Sequence, residues 1–406
     1  MRIAWNQKNT NLRPEVILSK VEALRTASKE GKVSFALFEL DPILVSLQSM
    51  LKFPPDVPYI DRSTLIWKTL FSISAPLDTK EFERTINKIF GKEKAMGERD
   101  YSVLTSISLN PDGLRRRMPI NGATIDLLKT DFPKKYESRG EAIKRAAIPV
   151  DPTPINYTRV IITVRARTPN SAVTSALRTI DLYRAALCLQ CNLRMEVWGR
   201  DWIPINVIRL GGAHSVHFSD GTVATDGVWF EPSYTEAPVY APSNGAHIQK
   251  QASIILRRIF ESEYVARFPD AILRYARALD ERDQNNALIK LWGALEAITT
   301  QEPVDYSRTI QRCAFIFEDH QYHTQILETL REYRNRSVHA GDQSEAAKVY
   351  CYHLQYYFSQ LLFFLLAKTR RFTNLDQKNR FLDLPREKDK LQARKVLIEK
   401  ALRYIS

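Results

Sequence analysis

Hydrophobic positions follow one period over the first 90 residues and another over the next hundred. Val16, Ile17, Val21 and Leu24 recur at helical spacing behind Pro14, which predicts a helix over 14–30 ending near Gly31. Asp41-Pro42 opens a second apolar segment through Leu51, and Pro54, Pro55 and Pro58 then break the pattern. From Thr79 to Phe90 a helix is predicted, with Phe82, Ile86, Ile89 and Phe90 on one face and Gly91 as its stop. The period then changes to two. Tyr101 to Leu109 alternates like a strand and runs into the turn Asn110-Pro111-Asp112-Gly113. Thr158 to Arg167 is the clearest strand, and a helix over 171–191 follows with Ala172, Ala176, Ile180, Tyr183 and Leu187 on one side. Such a unit packs as a helix on a sheet. Between Leu193 and Tyr240 short β-like pieces alternate with Gly, Pro and Asp, which predicts a small irregular sheet.

Pro238, Pro242, Ser243, Asn244 and Gly245 form the best linker in the chain. Beyond it helical periodicity is almost unbroken, over 246–261, 269–282, 284–300, 305–318, 321–337, 344–370 and 387–405. The expected class is α+β. A mixed α/β region over 1–240, with a subdivision near 150, precedes an all-α bundle over 246–406 whose last helix is basic.

Composition narrows the partners. Fifty-nine Lys and Arg against 46 Asp and Glu leave a net charge of +13, which favours polyanions such as nucleic acid. The longest apolar run, near residues 361–367, is far short of a membrane span, so no membrane partner is expected. Four cysteines and an N-terminus without an apolar core point to a reducing, cytoplasmic setting. No Walker loop, GxSxG or HExxH is present. Cys188 and Cys191 with His214 and His217 have poor zinc spacing, and CxxC within an amphipathic helix reads as two core residues. Neither a metal nor a cofactor is expected.

The densest chemistry lies in Leu330-Arg331-Glu332-Tyr333-Arg334-Asn335-Arg336-Ser337-Val338-His339-Ala340-Gly341-Asp342. Its helix carries Ile326, Leu327, Leu330 and Tyr333 as an apolar stripe. Asn335 and Arg336 lie four and three positions before His339 and can stand beside it on a helix. Arg334 is five positions away, about 140° around an ideal helix, so a distortion, a helix end or a second chain must bring it to His339. Gly341 is a suitable helix stop. A histidine that titrates near neutrality suits proton transfer, and fixed guanidinium charge suits a phosphate and its transition state. The plain alternative is a solvated helix end with surface arginines.

This Arg-Asn-x-x-x-His pattern resembles that of HEPN-domain ribonucleases, in particular the Apea-like HEPN group. The likeness covers roughly 265–370 and includes Leu288 to Ile298, similar to the Ala-Leu-Glu-Ala helix that precedes the motif in that group. The resemblance implies Arg334 and His339 as the catalytic pair with Asn335 beside them, and Glu296 and Arg336 in support. It also implies metal-independent cleavage of RNA through the 2′-OH, leaving a 2′,3′-cyclic phosphate, because DNA lacks that nucleophile. One histidine per chain is few for acid and base, which points to a homodimer with a composite site. A role in anti-phage defence or as a toxin follows, with RNA (tRNA among the targets) as substrate and a phage trigger or antitoxin as partner. Arg331, Arg370 and Arg371 are expected to meet the RNA backbone, and Arg115 to Arg117 and Lys134-Lys135 are further basic patches. Two other readings stand beside it: a non-catalytic module that dimerises or binds RNA, and an antitoxin-side component of a two-protein system.

Overall fold

Strand β5 (Arg99–Ile107) lies inside a six-stranded sheet, and the burial of seven consecutive residues along it shows that both of its faces are covered. The computed structural model describes residues 2–6, 12–27, 33–55, 57–74, 76–146, 154–195, 203–225, 227–231, 234–261, 268–300, 306–340, 346–367, 372 and 374–405. The side chains of Ala27, Leu37, Phe38, Tyr306, His339 and Ala340 lie outside that description. Helix and sheet are both present, in an α+β arrangement.

The first module is mainly helical: β1 (Ala4–Trp5), α1 (Pro14–Ala23), β2 (Arg25–Ala27), β3 (Val33–Phe35), α2 (Leu37–Ser49), β4 (Leu51–Lys52), α3 (Tyr59–Ser72) and α4 (Thr79–Ala95). Its own apolar cluster includes Ile3, Leu18, Leu40, Leu47, Leu70, Phe82 and Ile86. Three expectations are corrected here. Helix α1 stops at Ala23 because Arg25 to Ala27 pair with Val33 to Phe35. Helix α2 begins before Asp41-Pro42 and holds Pro42 inside it, because burial of Leu40, Leu44 and Leu47 at helical spacing offsets the missing backbone donor. Helix α4 runs through Gly91 to Ala95, so that glycine is no stop.

The sheet continues with β6 (Arg117–Ile120), β7 (Ala123–Leu127), α5 (Ser138–Arg145), β8 (Thr158–Ala166), α6 (Pro169–Cys191), β9 (Ala213–Phe218) and β10 (Trp229–Phe230). Its order is β10-β9-β5-β8-β7-β6 with every pair antiparallel, and Val103 stands opposite Ile162 on one side and Val216 on the other. Among the described residues, the region after Leu193 therefore supplies one edge of the main sheet and no separate small one. Alternation decides the faces: Tyr101, Val103, Ile107, Ile162 and Val164 join the large core with α6, while Leu104 and Ile161 meet Tyr136 on the far face.

From Gly245 on, every named element is a helix: α7 (Gly245–Glu261), α8 (Phe268–Leu279), α9 (Gln284–Thr299), α10 (Tyr306–Phe315), α11 (His320–Ala340), α12 (Ala347–Leu366), α13 (Leu375–Leu382) and α14 (Lys388–Ile405). Seven match the expected spans closely. Helix α13 was not anticipated; it is short and polar, and Asn374 caps it by accepting the Gln377 N–H at 2.7 Å. One apolar cluster runs without a break from Tyr101 to Leu382, through Tyr183, Tyr275, Trp292 and Phe358. Gly245 in the linker is needed for close approach: a Cβ there would lie 2.8 Å from the Asp112 carbonyl oxygen in the turn after β5. Among the described residues no helix is long and apolar enough to cross a membrane.

Candidate functional site

Helix α9 is the axis of the helical half, packed against α8, α10, α11 and α12. Asp283 caps it, accepting backbone N–H groups of Asn285 and Asn286, and Leu288, Leu291, Trp292 and Leu295 are buried along it. Trp292 and Glu296 are four residues apart, one turn of one face, and the indole N–H donates to Glu296 Oε1 at 2.6 Å. Burial pushes the Glu296 carboxyl above its ordinary range. The indole hydrogen bond and the positive charges of Arg334 and Arg274 pull it back down.

Arg334 comes from α11, which is continuous from His320 to Ala340. Its apolar stripe holds it in place: Leu327 and Leu330 are buried, and Tyr333 lies edge-on to Tyr350 at 5.0 Å between ring centroids. The Tyr333 hydroxyl donates to Asn285 Oδ1 at the start of α9. Tyr333 thus pins the turn of α11 that carries the arginines. The next residue, Arg334, is half-buried and donates from Nη1 to Asn335 Oδ1 at 3.0 Å. Arg336 is exposed, and Arg331 pairs with Glu328 of its own helix at 2.5 Å.

Of the residues expected at the site, then, Arg334 and Asn335 meet each other on α11, and Glu296 lies on α9, which packs against that helix, near enough to feel the Arg334 charge. Arg331 is turned to a local carboxylate, and Arg336 faces solvent. The backbone of His339 belongs to α11, but its side chain lies outside the described residues, as do Arg370 and Arg371 entirely. Helix α11 is continuous from Arg334 through His339. Sequence reasoning missed Trp292, Arg274 and Asn285 as neighbours of the site. The Trp-x-x-x-Glu spacing was a signal for the first, whereas the other two meet the site only through packing.

The remaining motifs have local partners. Cys188 is buried against the Ile208 carbonyl, and His214 meets the Thr105 hydroxyl at 2.8 Å through Nδ1. His217 lies between Ser215 and the Gly221 carbonyl, each at 2.9 Å. Among the described residues no three His, Cys, Asp or Glu side chains gather as a metal site. His323 stacks on Phe317 and meets the Tyr357 hydroxyl at 2.8 Å. Lys135 donates to the Ser219 carbonyl, Arg116 reaches Asp112, and Arg117 lies 3.7 Å from Asp126. No family model, no curated protein and no solved structure matches this chain.

Proposed function

We propose that the chain is a metal-independent endoribonuclease of the HEPN type, acting as a homodimer in anti-phage defence or as a toxin, with its active site built on α11. The observation that carries this reading is the packing of α11, with Arg334 and Asn335, against α9, the helix on which the HEPN resemblance expects the supporting carboxylate Glu296. Support comes also from the Arg334–Asn335 hydrogen bond and from Tyr333, which fixes the register of α11 against α9.

In this mechanism the 2′-OH of the target ribose attacks the adjacent phosphorus while a base takes its proton. The P–O5′ bond breaks, and an acid returns a proton to the departing 5′-oxygen. His339 from each of two chains fills the two roles, and Arg334 stabilises the charge that builds on the phosphoryl oxygens. Glu296 orients Arg334, and Asn335 holds its guanidinium from the other side. The unbroken helix also favours a second reading. Positions 334 and 339 are about 140° apart around an ideal helix, so on this reading a lone protomer would bind phosphate and not cleave.

The test is purified protein with end-labelled total RNA and tRNA in EDTA, wild type beside His339→Ala and Arg334→Ala. The expected result is fragments ending in cyclic phosphate, lost by at least a hundredfold in both variants, with folding and oligomeric state unchanged. Binding without cleavage by wild type, weakened by Arg334→Ala alone, would establish the binding reading in its place.

A further inference from the structure

Helix α4 has an exposed face that its own stability does not explain. Lys80, Arg84 and Lys88 follow one another at four-residue intervals, and Lys94 lies about 40° to the other side of Lys80 on the same face. Like charges at this spacing repel across each turn. Among the described residues, only Arg84 of these cations is ion-paired, with Glu81 at 2.6 Å. The buried face carries Phe82, Ile86 and Phe90, so the cations are held outward as a row.

Tertiary structure adds a fifth cation. Asn87 accepts the Ile3 N–H at 2.9 Å and donates to the Ile3 carbonyl at 2.7 Å, which fastens the N-terminal strand along α4. Arg2, the residue before, thereby joins Lys80, Arg84, Lys88 and Lys94 around a groove of about 710 Å³ in which Glu83 is the one carboxylate. Gly91 also lines this groove. It is a helix-interior glycine at which a Cβ would meet nothing within 4 Å, so packing does not require it. Glycine weakens a helix. Its value here is that it leaves the helix surface open to close approach.

We infer that this groove holds the phosphate backbone of a single RNA strand, as a second nucleic-acid surface separate from α11. Steps of four residues along a helix advance about 6 Å, comparable to the step between phosphates of an extended strand. A regular row of cations fits a regular polyanion better than an acidic peptide with irregular charges. The choice of RNA among nucleic acids rests on the ribonuclease reading; the groove and its polyanion do not.

The experiment is fluorescence anisotropy of the full chain with a labelled 15-nucleotide 2′-O-methyl RNA, which cannot be cleaved through its 2′ position. Binding is thus read whether or not the protein is a nuclease. Lys80→Gln/Arg84→Gln/Lys88→Gln should weaken binding at least tenfold near 0.1 M salt and reduce the slope of log affinity against log salt by about 2. Gly91→Glu should raise the melting temperature, because it replaces a helix-interior glycine, and still weaken binding at least fivefold. Unchanged affinity and salt slope in the folded triple variant, or unimpaired binding by Gly91→Glu, would overturn the proposal. So would capture of anionic phospholipid vesicles in preference to the oligonucleotide. A chain that binds through this groove yet never cleaves would overturn the ribonuclease reading and leave this one intact.

Discussion

Glu296 is the residue on which the site can be probed without dismantling it. Its carboxyl is raised by burial and only partly rescued by Trp292, Arg334 and Arg274. For a carboxyl whose folded pKa lies above the unfolded value, the stabilising contribution is complete below the unfolded pKa of 4.5. It is lost as pH rises through the folded one. Glu296→Gln keeps an oxygen for the indole and removes the titration. The melting temperature of the variant should therefore gain on wild type as pH rises from about 4 to 7, as differential scanning fluorimetry would show. Under the proposed mechanism the same variant loses cleavage by about tenfold to a hundredfold, because Arg334 loses its counter-charge. A pH-independent difference in melting temperature would mean that Glu296 is not held in its present environment. The candidate site itself was half legible. Arg334 and Asn335 could be read from the motif, Glu296 was implied by the resemblance, and Trp292 left a signal in its spacing from Glu296, whereas Arg274 and Asn285 enter through packing between helices and leave no local trace.

Among the elements, α11 and α14 are opposites. The first is fixed by Leu327, Leu330 and Tyr333 and so can present its arginines at a defined angle. The second has no buried residue, and Leu397, Ile398, Leu402 and Ile405 are exposed along it. Deleting residues 388–406 should change the free energy of unfolding by less than about 1 kcal/mol in urea titrations, since no core contact is removed. A larger loss would show that α14 packs on the protein in solution. Helical periodicity predicted both elements equally well, because an amphipathic pattern marks a surface that can be buried and does not say whether anything buries it.

For the molecule as a whole, a buried ionic network crosses from the sheet region to the helices. Arg184, 0% exposed at the middle of α6, donates to both oxygens of Asp280 at the end of α8, at 2.7 and 2.6 Å, and to Asp181 at 2.8 Å. Asn206 and Arg209 also approach Asp280, and Arg277 joins Asp181 to Glu231 at 2.6 and 2.7 Å. Arg184→Ala would leave two carboxylates buried with reduced compensation, at a cost of about 3–5 kcal/mol. Because one apolar cluster spans Tyr101 to Leu382, amides of β5 and α9 should lose hydrogen-exchange protection together in that variant. Loss confined to one of them would show that sheet and helices unfold separately.

Sequence alone determined the class, the strand from Thr158, the helix after it, seven of the eight helices beyond Gly245, and the placing of the Arg-Asn-Arg motif on a single helix. These are local matters, decided by which apolar side chains can share one face over a few turns. The tertiary structure decided what meets what. It put β9 and β10 on the edge of the main sheet, carried one core across the linker, brought Asp280 to Arg184 from 96 residues away, and packed α11 against α9. Such pairings follow from burying surfaces distant in sequence against one another, and a pattern of period two or 3.6 records which face is buried without naming the face that covers it.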